Sequence, residues 1–186
     1  MNKPRLSPVD WIFAGFNALA EVGPSALKAE VLARHLGTSK GSFYWHFADV
    51  ATYHAAMMEL WEQRAVSDII TDLEAVTDPR DRLRALAQAT TYTPEGLVQG
   101  NQVEAAIRAW ARSSETVCQA VKRVDAQRMA YLKELFASAN IPTEPYTRIT
   151  YATYIGLEEL PSPNASAPIE MEGLIDLILS QFPAPT

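Results

Sequence analysis

The sequence predicts an all-α protein, with an N-terminal three-helix head carrying a helix-turn-helix and a C-terminal helical bundle. Three observations predict it. Apolar residues recur at the three- and four-residue spacing of helix faces along nearly the whole chain. No run alternates apolar and polar residues between turn signals, as a half-buried strand requires. Helix punctuation recurs at Ser7-Pro8, Gly23-Pro24, Gly37, Ser39, Asp78-Pro79 and Asn140-Ile141-Pro142. With 186 residues, 48% of them hydrophobic, there is enough chain to bury a sizeable core.

The elements follow in order. Ser7 is an N-cap, Pro8 suits the first helical position and Asp10 places an acid in the first turn. Ile12, Phe13, Phe16, Leu19 and Ala20 then form one face before Gly23-Pro24 stops the helix. Leu27, Val31, Leu32 and His35 make a short second helix ended by Gly37, and Ser39 caps a third that runs to about His46. Two helices of about two turns are unstable alone, so they must pack on each other and on the first. A long helix from Ala48 or Asp49 to the mid-70s follows, with Tyr53, Met57, Leu60, Trp61, Ile69 and Leu73 as its stripe. Asp78-Pro79 restarts the chain, and Pro94, Gly96 and Gly100 interrupt it. Helices are expected at about 103–111, from Ser113 or Ser114 to about Ala139, from a Thr143 cap to about Leu160, and over roughly 169–182. The apolar set of the last one is too wide for a single face, which predicts burial on two sides.

Charge divides the chain in the same way. The formal net charge is −6, from 16 Lys and Arg against 22 Asp and Glu. An acidic average argues against binding nucleic acid. Residues 1–47, however, hold five bases and three acids, a balance of +2, and the rest carries −8. A small basic head on an acidic body can still meet an anion. No stretch approaches the ~18 apolar residues of a membrane span, and the N-terminus lacks a signal-peptide pattern. A soluble, cytoplasmic protein is expected. The single cysteine, Cys118, excludes an internal disulfide framework. The three histidines form no ligand pair, and no nucleophile–base pair, paired carboxylates or phosphate loop stands out. Neither an enzyme, a metal nor a cofactor is expected.

Residues 27–47, LKAEVLARHLGTSKGSFYWHF, read as helix, glycine turn, helix. Ala33 and Gly37 are small where helices cross, and Leu32, Leu36, Phe43 and Phe47 are apolar where they lock. In a helix-turn-helix the second helix enters the major groove of DNA. Lys40 suits phosphate or a guanine edge, Gly41 permits close approach, and Ser42, Tyr44, Trp45 and His46 offer polar groups. Thr38 at the helix start and Lys28 in front of the second helix suit phosphate. VLARHLGT followed by SKGSFYWHF, with Tyr44, His46 and Phe47 on a Tyr-x-His-Phe signature, resembles the TetR family of bacterial transcriptional regulators. The segment 105–135 also looks like the ligand domain of some members.

The resemblance implies a DNA-binding domain over 1–47 and a ligand-binding and dimerisation domain over 48–186. It implies a cytoplasmic, nucleoid-associated homodimer, in most members a repressor, on a near-palindromic double-stranded DNA operator, released by a small-molecule effector. Two positions depart from the pattern. Val50 stands where a phosphate-contacting Lys is usual, and Glu30 puts an acid in the helix that crosses the backbone. Both predict weaker affinity and a shallower salt slope. They leave a second reading, a helical ligand-binding or interaction module with weakened DNA binding.

For the effector, the residues singled out are Tyr92, Trp110, Met129, Tyr131, Phe136 and Tyr151, the large side chains of the bundle. For the dimer, Ala152 and Gly156 are small at i, i+4, with Tyr146, Ile149 and Thr153 on or near that face. With Ile175, Ile178, Leu179 and Phe182 of the last helix they suggest a four-helix interface, two helices from each chain.

Overall fold

The protein is described from a computed structural model, which covers residues 6–89, 100–160 and 167–183. The described residues contain α1 (Pro8–Val22), a 3₁₀ turn (Pro24–Ala26), α2 (Ala29–His35), α3 (Lys40–His46) and α4 (Val50–Glu62). A π-helical stretch (Gln63–Asp68) and α5 (Ile69–Leu73) continue α4. Then come α6 (Pro79–Ala89), α7 (Gly100–Ala111), α8 (Glu115–Ser138), α9 (Tyr146–Glu159) and α10 (Ala167–Gln181). No strand occurs among them. The expected all-α fold is therefore observed.

Local chemistry sets most of the boundaries. Ser7 and Asp10 form a reciprocal capping box: the Asp10 amide donates to Ser7 Oγ, and the Ser7 amide donates to Asp10 Oδ2 at 2.7 Å. Ser39 Oγ accepts from the Ser42 amide, Asp49 Oδ1 from the Thr52 amide, and Asp78 Oδ1 from the Arg80 and Asp81 amides. Gly37 ends α2 at φ 60°, the left-handed region, and the Thr38 amide then reaches back to the Ala33 carbonyl. Two boundaries differ from expectation: α7, expected from about 103, already includes Gly100. The helix expected from Thr143 begins at Tyr146, because Pro145 disfavours helical geometry at Glu144. The long helix after Asp49 also carries the unforeseen π-helical stretch.

Two compact units result. The described residues within Met1–Glu62 and Thr93–Val121 form the first, and those within Gln63–Tyr92 and Lys122–Thr186 the second. In the first, α1, α2, α3, α4 and α7 bury Trp11, Leu19, Leu32, Phe43, Tyr53 and Ile107. In the second, Leu83 of α6, Leu135 and Phe136 of α8, and Ile175 and Leu179 of α10 share a core. The Arg80 guanidinium closes the end of α10 by donating to the Leu179 and Phe182 carbonyls, each at 2.7 Å. No helix among the described residues is long and apolar enough to cross a membrane.

Candidate nucleic-acid interface

The head is built around one ring. Phe43 is fully buried, and its ring lies 5.1–5.4 Å from those of Trp11, Tyr44, Phe47 and Tyr53. Three of those contacts are edge-on, the geometry aromatic quadrupoles favour. Tyr53 donates its hydroxyl to the Trp11 carbonyl at 2.8 Å, and burial pushes that phenol well above its ordinary pKa. Gly15 makes the arrangement feasible: a Cβ there would lie 1.9 Å from the Tyr53 hydroxyl. Nothing in the local sequence signals Gly15, because its partner is 38 residues away.

Phe43 and Phe47 face inward, as the sequence predicts. The other side of α3 faces out. Trp45 is 72% exposed and Tyr44 45%. Lys40 and Gly41 are exposed, and Ser42 and His46 half-buried. A Cβ on Gly41 would make only ordinary contact, 3.7 Å from Ser39 Oγ, so packing within the chain does not require glycine there. Lys28 is exposed and Thr38 half-buried at the edges of the motif. The eight residues singled out for DNA thus lie on or beside one short helix-turn-helix.

One contact across the turn was not foreseen. Lys40 Nζ donates to Glu30 Oε1 of α2 at 2.5 Å, with both side chains about half exposed. The ion pair holds the Glu30 carboxyl below its ordinary range and the Lys40 ammonium above its own. The Lys40 ammonium also lies 5.8 Å from the centre of the Tyr44 ring. An acid that pattern reading sets against DNA is thus coupled to the base that reading assigns to it.

Behind the head, His54 of α4 stands edge-on to Trp110 of α7, ring centres 4.8 Å apart. One ring nitrogen donates to the Leu27 carbonyl, while Nε2 is buried with no hydrogen-bond partner. Burial lowers the imidazole pKa, so His54 is neutral in the folded protein at neutral pH. The unfolded chain, with an ordinary pKa of about 6.5, takes up a proton first as pH falls. Stability is therefore expected to be full above that value and to drop between about pH 7 and 5. Melting temperatures across this range should show the decline, and His54→Gln should flatten it. A wild-type curve already flat would contradict the burial of a neutral ring.

The residues singled out for an effector do not form one group. Trp110 is buried in the first unit, and its neighbour Arg108 is paired with Glu104 at 2.9 Å. Phe136 is fully buried in the core of the second unit, and Tyr131 packs against that core. Met129 is half-buried, as is Tyr151, whose hydroxyl donates to Asp125 Oδ1 at 2.7 Å. Tyr92 lies outside the described residues. The dimer set also divides. Ile149 and Ala152 are exposed on α9, Thr153 is half-buried, and a Cβ on Gly156 would meet nothing within 4 Å. Ile175, Ile178 and Leu179, expected on a partner, are instead buried in this chain's own core, because α10 packs that face on α6 and α8. Tyr146 and Phe182 pack edge-on to each other. Leu177 and Leu160, not anticipated, are 61% and 64% exposed.

Comparison with known proteins agrees with this geometry. No curated protein sequence matches the chain. A transcriptional regulator from Rhodococcus sp. Rha1 has the same fold, with TM-score 0.76, 21% identity and 95% of each chain covered. A TetR transcription regulator from Haloarcula marismortui gives 0.76 at 18% identity, over 94% of this chain and 97% of its own. A transcriptional regulator from Saccharomonospora viridis, solved in complex with choline, gives 0.78 at 14% identity, over 94% and 96%. Residues 12–49, which span most of α1 through the turn after α3, match the model of the bacterial regulatory proteins of the tetR family. Residues 12–49 thus match the helix-turn-helix head of the bacterial tetR-family regulatory proteins, and nearly the whole chain shares its fold with such regulators.

Proposed function

We propose that this regulator is an effector-released repressor that binds a near-palindromic operator as a homodimer in the cytoplasm, on the nucleoid. The observation that carries this reading is the division of α3. Phe43 and Phe47 anchor it in the core, while Lys40, Tyr44 and Trp45 are exposed on its other side. Rigid support behind an exposed face is what base contacts need. Residues 1–47 are the DNA-binding domain in this reading, and 48–186 bind effector and partner.

The partner face narrows to Ile149, Ala152, Thr153, Gly156 and Leu160 of α9 with Gly173 and Leu177 of α10. Large exposed apolar groups beside small residues suit helix-on-helix packing between chains. The choline complex of a regulator with the same fold supports a small-molecule effector here. Release then needs a coupling of ~1–3 kcal/mol between effector and operator. The effector favours a dimer whose recognition helices no longer stand ~34–36 Å apart, about one DNA turn.

The Glu30–Lys40 pair favours a second reading, a head with weak DNA affinity. One experiment separates the two. Duplexes enriched from a random pool by the full-length protein are titrated over a range of salt. The repressor reading expects one palindromic consensus, bound with a steep salt dependence. Feeble, equal binding to all duplexes supports the weakened head. Glu30→Gln frees Lys40 for phosphate and removes a repelling charge. It is expected to tighten binding several-fold at low salt and to steepen the salt slope by about one. Unchanged affinity and slope would place the pair away from DNA.

A further inference from the structure

Helix α9 buries two threonines among its core-facing side chains and exposes an isoleucine. At about 100° per residue, Thr147, Thr150, Tyr151 and Tyr154 share one side, and Ile149, Ala152, Gly156 and Leu160 share the other. The side with the threonines is the inner one, where Tyr146, Tyr151, Tyr154 and Leu157 pack on the core. Thr147 and Thr150 are 5% and 3% exposed, whereas Ile149 and Leu160 are 49% and 64% exposed. A helix built only to fold would bury the isoleucine and the leucine and expose the threonines. The outward apolar side is explained by a partner chain. The inward polar side needs a different occupant.

The inner side faces Asp125 and Arg128 of α8. Tyr151 donates to Asp125 Oδ1 at 2.7 Å. The Arg128 guanidinium lies 5.3 Å from the centre of the Tyr154 ring, and its Nε donates to the Ala65 carbonyl in the π-helical stretch at 3.1 Å. A π-helical stretch breaks the regular carbonyl ladder, a feature frequent at functional sites. Thr147 Oγ1 and Thr150 Oγ1 are buried and have no hydrogen-bond partner. Buried hydroxyls left without partners are destabilising, and valine has the same shape without that cost. Two of them on one stripe, next to a phenol–carboxylate pair and the Arg128 guanidinium, form a polar patch beside the Tyr146, Tyr151, Tyr154 and Leu157 side chains that pack on the core.

We infer that the α8–α9 face of the second unit binds a small hydrophilic molecule, neutral or cationic, that brings its own hydrogen-bonding groups. The inference rests on the effector reading above and gives that effector a chemical class. The charges decide its sign. Asp125 is on the face, and Glu158 lies one turn beyond Tyr154 on the same stripe, whereas Arg128 is the one base among these groups and already engages a backbone carbonyl and a ring. An anion would meet two carboxylates. A hydrocarbon tail would bury the Thr147 and Thr150 hydroxyls unpaired.

Isothermal titration calorimetry on the full-length protein tests this, because generic osmolyte stabilisation does not register as site binding. The hydrophilic probes are choline, ethanolamine and glucose, and the apolar ones decanoate and octanol. At least one hydrophilic probe is expected to bind saturably. The double variant Thr147→Val, Thr150→Val should bind it at least about tenfold more weakly, while the ligand-free protein melts at the same temperature or higher. Should the double variant misfold, Asp125→Asn supplies the second arm, with the cationic probe weakened more than the neutral one. Binding of decanoate or octanol alone overturns the hydrophilic class and leaves the effector reading standing. Hydrophilic binding indifferent to both variants overturns the location. No binding of any probe overturns the inference and the effector reading together.

Discussion

Phe43→Ala is expected to unfold the head. The side chain is fully buried and holds four aromatic neighbours within 5.4 Å of its ring centre. Truncating such a ring removes its burial and leaves a cavity, a loss of about 3–5 kcal/mol. Domains are stable by only about 5–15 kcal/mol in total, so one substitution consumes much of the margin. Near-ultraviolet circular dichroism should lose the signal of the Trp11–Phe43–Tyr53 cluster, and the melting temperature should fall by many degrees. Phe43→Leu, which keeps most of the volume, should recover more than half of the loss. Gly15→Ala attacks the same cluster from α1, because the added methyl group collides with the Tyr53 hydroxyl. A melting temperature unchanged in Phe43→Ala would mean that α3 is not anchored by this ring.

Trp45→Ala is expected to do the reverse, abolishing operator binding while the fold is kept. At 72% exposure its ring contributes little to the core, and exposed substitutions usually change stability by less than about 0.5 kcal/mol. On DNA, loss of a base contact costs roughly 1–3 kcal/mol per half-site, and the proposed dimer would lose it twice. Affinity for the enriched duplex should fall by at least about thirtyfold, read by fluorescence anisotropy, with an unchanged melting curve. Tyr44→Phe completes the test, since it keeps the edge-on contact with Phe43 and removes only the hydroxyl. Wild-type affinity in Trp45→Ala would show that α3 does not read bases through this residue.

The two substitutions separate what was legible in the chain. The motif could be read because its signals are local. Ser39 caps α3 three residues from its donor, and Gly37 supplies the left-handed turn. Phe43 and Phe47 lie one helical turn apart on the buried side. Such signals depend on backbone geometry within a few residues, which any fold must respect. The Glu30–Lys40 pair spans ten residues across that turn, and the Gly15–Tyr53 fit spans 38. Neither periodicity nor capping encodes which side chains a folded chain brings together.

The same limit explains the bundle. Its helices were readable from spacing, but the assignment of faces was not. On α10 the wide apolar set suggested two buried sides. Packing on α6 and α8 takes Ile175, Ile178 and Leu179 inward and leaves Leu177 outside. On α9 Ala152, marked by its spacing from Gly156, is exposed, and Tyr151, singled out for the effector, lies on the opposite side, whereas the burial of Thr147 and Thr150 beside it was not anticipated. The sequence by itself determined the helices, most of their ends and the helix-turn-helix head, because these follow from local geometry and a short motif. Only the tertiary structure decided which side of each helix is inside. Periodicity defines two faces, but burial depends on the neighbours available to cover them, and in α9 those neighbours cover the side that carries Thr147 and Thr150 and leave Ile149 outside.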